Sequence, residues 1–403
     1  MIAKIISRNV FISAPKPGVG VLGACYQASL DGQDMVSIHS TISRSDTVDM
    51  ACMRHSHDGG QTWSDVVPWI TKFDHPMGTK RRHPRGGYVH PQTGRYVFFW
   101  IEGVLPTDDP LEGMRQWTVH YSVSNDGGKT EIINEQIIHE GTIYNALHPL
   151  PGVTVGKNCA MIGDLGQRPI TRSDGVILVP ILSSPTGKGG TYHNPGAGYT
   201  YTDCMVLLGH WQPDGRLLWT CSERIVGDPM RTTRGLDEPT LAELRNDSMV
   251  MVMRGSNDVH PEWPGHKWVS RSFDKGHTWT VAQPWTYDTQ EPFYSPSACS
   301  QLIPHHSGRL FWMGNITPQN PRGNRPRYPL ILGEVDRETG CLIKKSVTVI
   351  DTRKPDEHEG ITLSNFYVRE DSQGDLYLYL PRLFARDPGD WTADLMVYHI
   401  VLT

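Results

Sequence analysis

The sequence predicts an all-β protein built as a β-propeller, and three observations carry that prediction. The 403 residues include 40 glycines and 30 prolines, so that about one residue in six is glycine or proline. The two together make up roughly 12% of an average protein. Such a turn-rich composition argues against a helical bundle. One short turn motif recurs along the chain, and the segments between its copies are rich in β-forming residues. Recurrence of this kind is typical of a repeat architecture.

The recurring motif reads S-x-D-x-G-x-T-W and has the chemistry of a tight hairpin turn. It occurs in residues 56–63, 124–130 and 272–279, and the second copy has Glu131 in the tryptophan position. In such a turn the aspartate accepts hydrogen bonds from backbone N–H groups, and the glycine adopts a positive φ. The threonine and tryptophan then begin the next strand, with the indole packed between sheets.

The spacing of these turns predicts the number of repeats. Weaker copies extend the series, so that its aspartates stand at positions 58, 126, 214, 274 and 336. The shorter intervals divide the chain into six or seven units, each with enough strand-forming sequence for a four-stranded propeller blade. A second series of turns lies at residues 92–95, 173–175, 246–248, 307–309 and 372–375. We interpret these as hairpins joining the first two strands of successive blades. The alternative is a β-sandwich with chance matches to the motif.

The composition also bounds location and partners. No run of ~18 apolar residues occurs, so no membrane span is expected. The net charge is -5 and no long basic run is present, which argues against nucleic acid as a partner. The N-terminus lacks the features of a secretory signal, although a chain whose signal had been removed would look the same. The seven scattered cysteines are typical of buried free thiols and slightly favour a cytoplasmic location. We expect residues 1–403 to form a single propeller domain.

The turn motifs resemble the Asp-boxes, or BNR repeats, of the sialidase (neuraminidase) superfamily, of which the chain resembles a divergent member along most of its length. The resemblance implies a six-bladed propeller. It is strongest in residues 238–254, which resemble a sialidase segment that opens with a functional glutamate and closes with an arginine, here Glu238 and Arg254. In the family the glutamate assists the nucleophile, and the arginine belongs to a triad that grips the substrate carboxylate. A guanidinium fork suits that task because it offers two N–H groups to two oxygens.

Three further segments resemble the family. Residues 324–330 resemble the stretch with another triad arginine, for which Arg327 is the better placed. Residues 45–49 resemble the segment with the acid/base aspartate, which points to Asp46 first and Asp49 second. Residues 166–169, which contain Arg168, resemble the rim of the third blade.

Two departures from the family pattern bear on the reaction. Leu363 stands where the nucleophilic tyrosine is expected. The Arg-Ile-Pro motif that holds the first triad arginine in the family does not occur here, and Arg8 lies too far upstream to replace it. Tyrosine is the exceptional nucleophile of sialidases, so ordinary sialidase activity is not expected here. Glu238 could then act directly as nucleophile or base, with Asp46 as the general acid.

The propeller fold gives an independent route to the site. Inner strands line the central channel, so the residues just before them should converge at one mouth. These residues combine carboxylates, histidines and arginines, as an acid, a base and an anion clamp would require: Asp46, His83, Arg85, Gln167, Arg168, Asp237, Glu238, Tyr294, His358 and Glu359. The candidate substrate-binding residues are Arg168, Arg254, Arg327, His83, Arg85 and Tyr294. Each has an ordinary alternative, such as a turn cap for Asp46 or a solvated basic loop for His83 and Arg85.

Three functions fit these residues. The leading one is a sialidase-like glycoside hydrolase that cleaves a glycosidic bond in an acidic or unusual sugar. The second is a polysaccharide lyase, in which arginine neutralises a uronate carboxylate while His83 or Tyr294 removes the α-proton. The third is a non-catalytic propeller that binds glycans.

No metal or other cofactor is expected. The 18 histidines include no H-x-x-x-H pattern. The closest pairs are His55 with His57 and His305 with His306, and neither has a clear third ligand nearby in the sequence.

Overall fold

Six antiparallel β-sheets follow one another along the chain and form a ring. They are seen in a computed structural model that describes residues 2–403, apart from the side chain of Asn246. Within that range the helical segments are three short 3₁₀ helices, Pro110–Arg115, Arg245–Asp247 and Lys344–Ser346. The protein is therefore a six-bladed β-propeller, which confirms the prediction of the fold.

The strands are numbered β1–β26 in chain order, and the first of them, β1 (Ala3–Ile12), belongs to the last blade. Blade one contains β2 (Gly20–Gln27), β3 (Met35–Ile42), β4 (Met50–Ser56) and β5 (Val67–Trp69). Blade two contains β6 (Lys72–His75), β7 (Gly78–Val89), β8 (Tyr96–Leu105), β9 (Thr118–Ser124) and β10 (Ile133–Gln136). In blade three the inner strand is split into β11 (Ala160–Met161) and β12 (Ile170–Thr171), which both pair with β13 (Ile177–Ser183), and β14 (Asp203–Trp211) and β15 (Leu217–Cys221) follow.

The second half of the chain repeats the same meander. Blade four contains β16 (Asp237–Glu243), β17 (Met249–Arg254), β18 (Lys267–Ser272) and β19 (Gln283–Pro284). Blade five contains β20 (Gln301–Pro304), β21 (Leu310–Asn315), β22 (Leu330–Val335) and β23 (Thr348–Asp351). Blade six contains β24 (Tyr367–Glu370), β25 (Leu376–Pro381) and β26 (Leu395–Leu402), with β1 as its outermost strand.

The ring closes through a pairing between the two ends of the chain. β1 runs antiparallel to β26, with Ala3 opposite Leu402 and Ile12 opposite Leu395. The last blade is therefore built from the first strand of the protein and its last three strands.

Neighbouring blades cover both faces of the middle strands. All six residues of β17 are buried, as are all seven residues of β13. Continuous apolar runs of this kind are typical of strands that are buried on both faces. Clusters of apolar side chains fill the spaces between blades, and Trp279, from the third copy of the turn motif, packs against the cluster between blades three and four.

The recurring turns join the last two strands of their blades. In the copy between β18 and β19, Asp274 accepts hydrogen bonds from Thr278 N at 2.9 Å, Thr278 Oγ1 at 2.6 Å and Ser272 Oγ at 2.8 Å. Gly276 adopts a φ of 92°, which the turn requires. In blades three to six the second series of turns joins the inner strand to the next strand, as predicted, and in blade two it joins β7 to β8, which follow the short strand β6. Local turn chemistry thus sets the position of the strands.

Two further findings concern the chain as a whole. All seven cysteines are free. Within residues 2–403, no helix has the length and apolar character needed to cross a membrane.

Candidate active site

A cavity of about 440 Å³ lies at the end of the propeller where the inner strands begin. This volume is in the range of small-molecule binding sites. Seven of the predicted residues line it, and they come from blades one, two, four and five: Asp46, His83, Arg85, Asp237, Glu238, Arg254 and Arg327. The fold thus brings together residues that are far apart in the sequence.

Glu238 is held at a distortion of its strand. The register of β16 shifts between Asp237 and Thr240, and Glu238 has a φ of 42°, in the left-handed region that favours glycine. Arg254, at the end of β17, donates a hydrogen bond from Nη1 to Glu238 Oε1 at 2.7 Å. The second oxygen, Oε2, is buried and has no hydrogen-bond partner among the described residues. Strain and an unpartnered buried oxygen are both typical of a functional position.

Opposing effects act on the pKa of Glu238. Burial raises it, but the positive charges of Arg254, Arg327 and Arg234 outweigh burial, so the pKa of Glu238 is lowered. The carboxylate is therefore ionised at neutral pH.

Arg254 and Arg327 are joined through Ser297. Arg254 Nε donates to Ser297 Oγ at 2.7 Å, and Arg327 donates from Nε and Nη2 to the Ser297 carbonyl oxygen at 3.2 and 2.9 Å. Burial, and after it the charge of Arg254, lowers the pKa of Arg327 to about 10. Arg234, which sequence analysis missed, also lines the cavity and pairs with Asp237 at 3.4 Å. An anion bound here would relieve the repulsion between these guanidinium groups.

Asp164 is a second carboxyl group of the cavity that sequence analysis missed. It lies in the interruption of the inner strand of blade three, between β11 and β12. Asp164 Oδ1 accepts a hydrogen bond from Leu165 N at 2.5 Å, and Oδ2 accepts one from Asn365 Nδ2 at 2.6 Å. Burial, and after it the negative charge of Glu238, raises the pKa of Asp164 to about 6. The environments of the two carboxyl groups therefore push their pKa values apart.

His83 and Arg85 enter the cavity from β7. Arg85 Nε donates to the carbonyl oxygen of Ile162 at 2.5 Å, and burial lowers the pKa of Arg85 to about 10. The His83 ring packs against Trp117, with 4.9 Å between ring centroids. Burial, and after it the charge of Arg85, lowers the pKa of His83 well below its usual value. His83 is thus a neutral imidazole at neutral pH.

Asp46 lies at the exposed mouth of the cavity, between β3 and β4. Its φ is 56°, again in the left-handed region, and its Oδ2 accepts a hydrogen bond from Ser45 Oγ at 2.9 Å. Tyr199 also lines the cavity. Burial raises the pKa of Tyr199, and the negative charge of Asp46 raises it further. Asp46 is therefore a group of the rim, whereas Glu238 and Asp164 are buried deeper.

Arg168 and Tyr294 are not among the residues that line the cavity. The charge of Arg168 acts instead on the hydroxyls of Tyr88 and Tyr367, which are buried. Tyr294 is 38% exposed and its carbonyl oxygen accepts a hydrogen bond from Thr317 N at 3.0 Å. The expectation that both reach the cavity is wrong. It fails because the chain ahead of an inner strand can form a loop that turns its side chains elsewhere.

Comparison with known proteins gives matches by structure alone. No protein-family profile and no curated protein sequence matches the chain. The Hadza microbial sialidase Hz136 aligns with a TM-score of 0.59 and 12% identity over 95% of this chain and 66% of that chain, so this chain spans just under two thirds of that protein. The intramolecular trans-sialidase from Ruminococcus gnavus aligns with a TM-score of 0.56 and 12% identity, covering 98% of this chain and 97% of that chain. The GH93 α-L-arabinofuranosidase of Fusarium graminearum aligns with a TM-score of 0.57 and 13% identity, covering 99% and 98%.

This chain has the sialidase-type propeller fold. The match extends over nearly all of its length in each of these comparisons. The neighbours that share the sialidase-type fold are glycoside hydrolases of more than one kind, so the fold alone does not select a substrate.

Leu363 lies in the core of this sialidase-type propeller. It is fully buried in the cluster between blades five and six and does not line the cavity, whereas Asn365 does. Among the described residues, the tyrosines of the lining are Tyr26 and Tyr199. The Tyr26 hydroxyl is buried without a hydrogen-bond partner in the described part of the chain, and burial raises its pKa well above the usual value.

Part of the cavity lining is apolar. Trp391 and Phe384 meet edge to face with 4.9 Å between ring centroids, and both line the cavity, as do Trp117 and Met114. Aromatic side chains of this kind can pack against the apolar face of a sugar ring. The cavity lining therefore combines charged and apolar side chains.

Proposed function

We propose that this protein is a glycoside hydrolase that cleaves the glycosidic bond of an acidic sugar. Glu238 acts as nucleophile or general base, and Asp164 acts as general acid. The observation that carries the proposal is this pair of carboxyl groups, one with a lowered and one with a raised pKa, in a single cavity. Glycoside hydrolysis uses two carboxyl groups whose environments separate their protonation states.

Each carboxyl group has the surroundings that its role requires. Arg254 occupies Glu238 Oε1 and keeps the carboxylate ionised, while Oε2 stays unpartnered and can approach the anomeric carbon or a water molecule. Asp164 carries its proton up to about pH 6 and can donate it to the departing sugar oxygen. Asp46, the acid implied by the family resemblance, lies at the mouth and is kept as the alternative acid.

The arginines support an acidic substrate. Arg234, Arg254 and Arg327 all line the cavity beside Glu238. Burial of several guanidinium groups near each other is unfavourable unless anions balance them. A carboxylate on the sugar would bind here as a planar partner of these groups.

A lyase would need His83 or Tyr294 as its base, and the surroundings of both residues argue against that role. Tyr294 lies outside the cavity lining, and the strongly lowered pKa of His83 makes it a poor acceptor for an α-proton. A non-catalytic glycan-binding propeller stays open as an outcome of the test below.

The test is mass spectrometry of products from sialylated, uronate-containing, arabinofuranosyl and neutral oligosaccharides. Fragments that together gain one water, from an acidic glycan, are expected. Fragments that gain no water, one of them unsaturated, would replace the proposal with a lyase. Intact glycans that bind without turnover would replace it with a binding protein, and cleavage of neutral glycans alone would overturn the acidic substrate.

The acid is tested separately with Asp164→Asn and Asp46→Asn, measured on whichever glycan is cleaved. We expect Asp164→Asn to remove the fall in kcat/KM as the pH rises past about 6, and Asp46→Asn to keep it. The reverse result would assign the acid to Asp46.

A further inference from the structure

Three potential metal ligands meet at the end of the propeller opposite the cavity. His305 and His306 follow the inner strand β20 of blade five, and Glu370 ends the inner strand β24 of blade six. Their ligand atoms all lie within 4.8 Å of one another. The sequence offers no third donor beside the histidine pair, and the fold supplies Glu370 from 64 residues away.

The contacts between these groups are close and converge on one oxygen. His305 Nε2 lies 3.1 Å from Glu370 Oε1, and His306 Nδ1 contacts the same oxygen. The two rings lie 4.5 Å apart between centroids. Ligand atoms that share a tetrahedral metal ion at about 2.1 Å stand roughly 3.4 Å apart, so small adjustments would allow the three atoms to bind one ion.

The surroundings hold this group in place. The His305 side chain is 6% exposed, and its Nδ1 accepts a hydrogen bond from Ser307 N at 3.2 Å and lies 2.7 Å from Ser307 Oγ, so that the ring is held in one orientation. The backbone N–H of His306 donates to both oxygens of Glu370 at 3.2 Å. The Gly374 carbonyl oxygen accepts a hydrogen bond from His305 Nε2 at 2.9 Å.

Gly374 allows the turn of blade six to close over the two imidazole rings. It has a φ of 90°, and a Cβ atom at this position would lie 2.3 Å from His306 Cε1 and 3.3 Å from His305 Nε2. The site therefore lies between two turns, with the His305 side chain buried and the His306 side chain at the surface.

We propose that His305, His306 and Glu370 bind a divalent transition-metal ion, with Zn²⁺ as the best fit, and that this ion ties blade five to blade six. Two imidazole nitrogens and one carboxylate are a ligand set that Zn²⁺ accepts. Hard cations such as Ca²⁺ and Mg²⁺ prefer all-oxygen sites and are not expected to bind. The site lies at the opposite end of the inner strands from Glu238, so its role is separate from the proposed hydrolysis.

The test is isothermal titration of the full chain with Zn²⁺ at neutral pH, after treatment with a chelator. We expect one tight equivalent in the unmodified protein, and weakening by about tenfold or more in His306→Ala and Glu370→Gln. The control is His57→Ala, which removes an exposed histidine that contacts a single carboxylate, Asp34, at 2.5 Å. That variant should bind as the unmodified protein does.

A second measurement guards against variants that fold poorly. Zn²⁺ should raise the Tm of the unmodified protein and of His57→Ala, because the ion binds the folded state, and should raise the Tm of His306→Ala by less at the same Zn²⁺ concentration. His306 is 63% exposed in its side chain, so its removal should not disturb folding. Absence of Zn²⁺ binding, or binding that His306→Ala does not weaken, would overturn the proposal.

Discussion

Glu238 and Arg254 form an ion pair across two adjacent strands, with 2.7 Å between Glu238 Oε1 and Arg254 Nη1. Both side chains are almost fully buried, at 13% and 8% exposure. The pair leaves one carboxylate oxygen unpartnered among the described residues. A buried pair that satisfies only part of its hydrogen-bonding capacity is expensive unless a ligand completes it.

We expect Glu238→Gln to lower kcat by about 10²–10⁴-fold with a smaller change in KM, because the amide keeps the shape but cannot serve as nucleophile or base. Steady-state kinetics on the cleaved glycan measure this. Glu243→Gln is the matched control, since Glu243 ends the same strand and bonds to Ser173 instead, with 2.9 Å between Oε1 and Ser173 Oγ. Full turnover by Glu238→Gln would remove Glu238 from the mechanism.

Asp164→Asn should change how stability depends on pH. The pKa of Asp164 is raised from 3.8 to about 6 in the folded protein, so between these values the folded state holds a proton that the unfolded state has released. The free energy of unfolding of the unmodified protein therefore falls as the pH rises through this window. Relative to it, Asp164→Asn should gain up to about 3 kcal/mol between pH 4 and pH 6 and nothing further above.

Denaturant unfolding at a series of pH values measures this difference. Asp174→Asn serves as the control, because hydrogen bonds from Arg172 lower the pKa of Asp174 to about 2 and its contribution is constant above about pH 5. A pH-independent difference for Asp164→Asn would mean that Asp164 is not protonated in the folded protein.

Arg327→Ala should raise KM for an acidic glycan by about 10–100-fold and change kcat less, since a charged hydrogen bond to the substrate is lost. A neutral analogue should lose much less affinity. Arg309→Ala, in the same blade, is a suitable control because Arg309 pairs with Glu334 at 2.8 Å, away from the cavity. Equal effects of Arg327→Ala on acidic and neutral glycans would contradict the anion clamp.

Asp274→Ala should lower the free energy of unfolding by about 1–3 kcal/mol, because the turn between β18 and β19 loses the acceptor of several hydrogen bonds. Asp214→Ala should cost less, since Asp214 accepts a single hydrogen bond, from Arg216 N at 3.0 Å. Thermal unfolding of the two variants decides the comparison. A larger loss for Asp214→Ala would show that the turn motif is not what stabilises these hairpins.

Local chemistry explains how far the sequence alone could predict this protein. The turns depend on residues that are adjacent in sequence, so their positions and a propeller of six or seven blades could be predicted from them, and the family resemblance selected six. Glu238 and Arg254 were chosen because residues 238–254 resemble a sialidase segment that begins with a glutamate and ends with an arginine. Asp164 was not predicted, because it belongs to none of the recurring motifs. It lies where an inner strand is interrupted near Gly163 and Gly166, and this pair of glycines was the available signal.

Other parts of the site depend on long-range packing. Tyr294 lies in a loop ahead of blade five and pairs with Thr317 of that blade. This contact sets the path of the loop, and the position of Tyr294 in the sequence does not reveal it. The approach of Glu370 to the histidine pair depends on the rotation between blades five and six. Neither relationship leaves a trace in the spacing of residues.

The pairing of β1 with β26 also constrains the order of events during synthesis. The partner of Ala3 is Leu402, so the first strand leaves the ribosome long before the strand it must join exists. Five blades can form from contiguous sequence, whereas the sixth depends on the most distant contact in the chain, the kind that slows folding. Until then both β1 and the outer edge of β26 lack a partner strand, and such unpaired edges invite association with other chains. Completion of the ring should therefore be a late step of folding, and the step that pairs these two strands with each other.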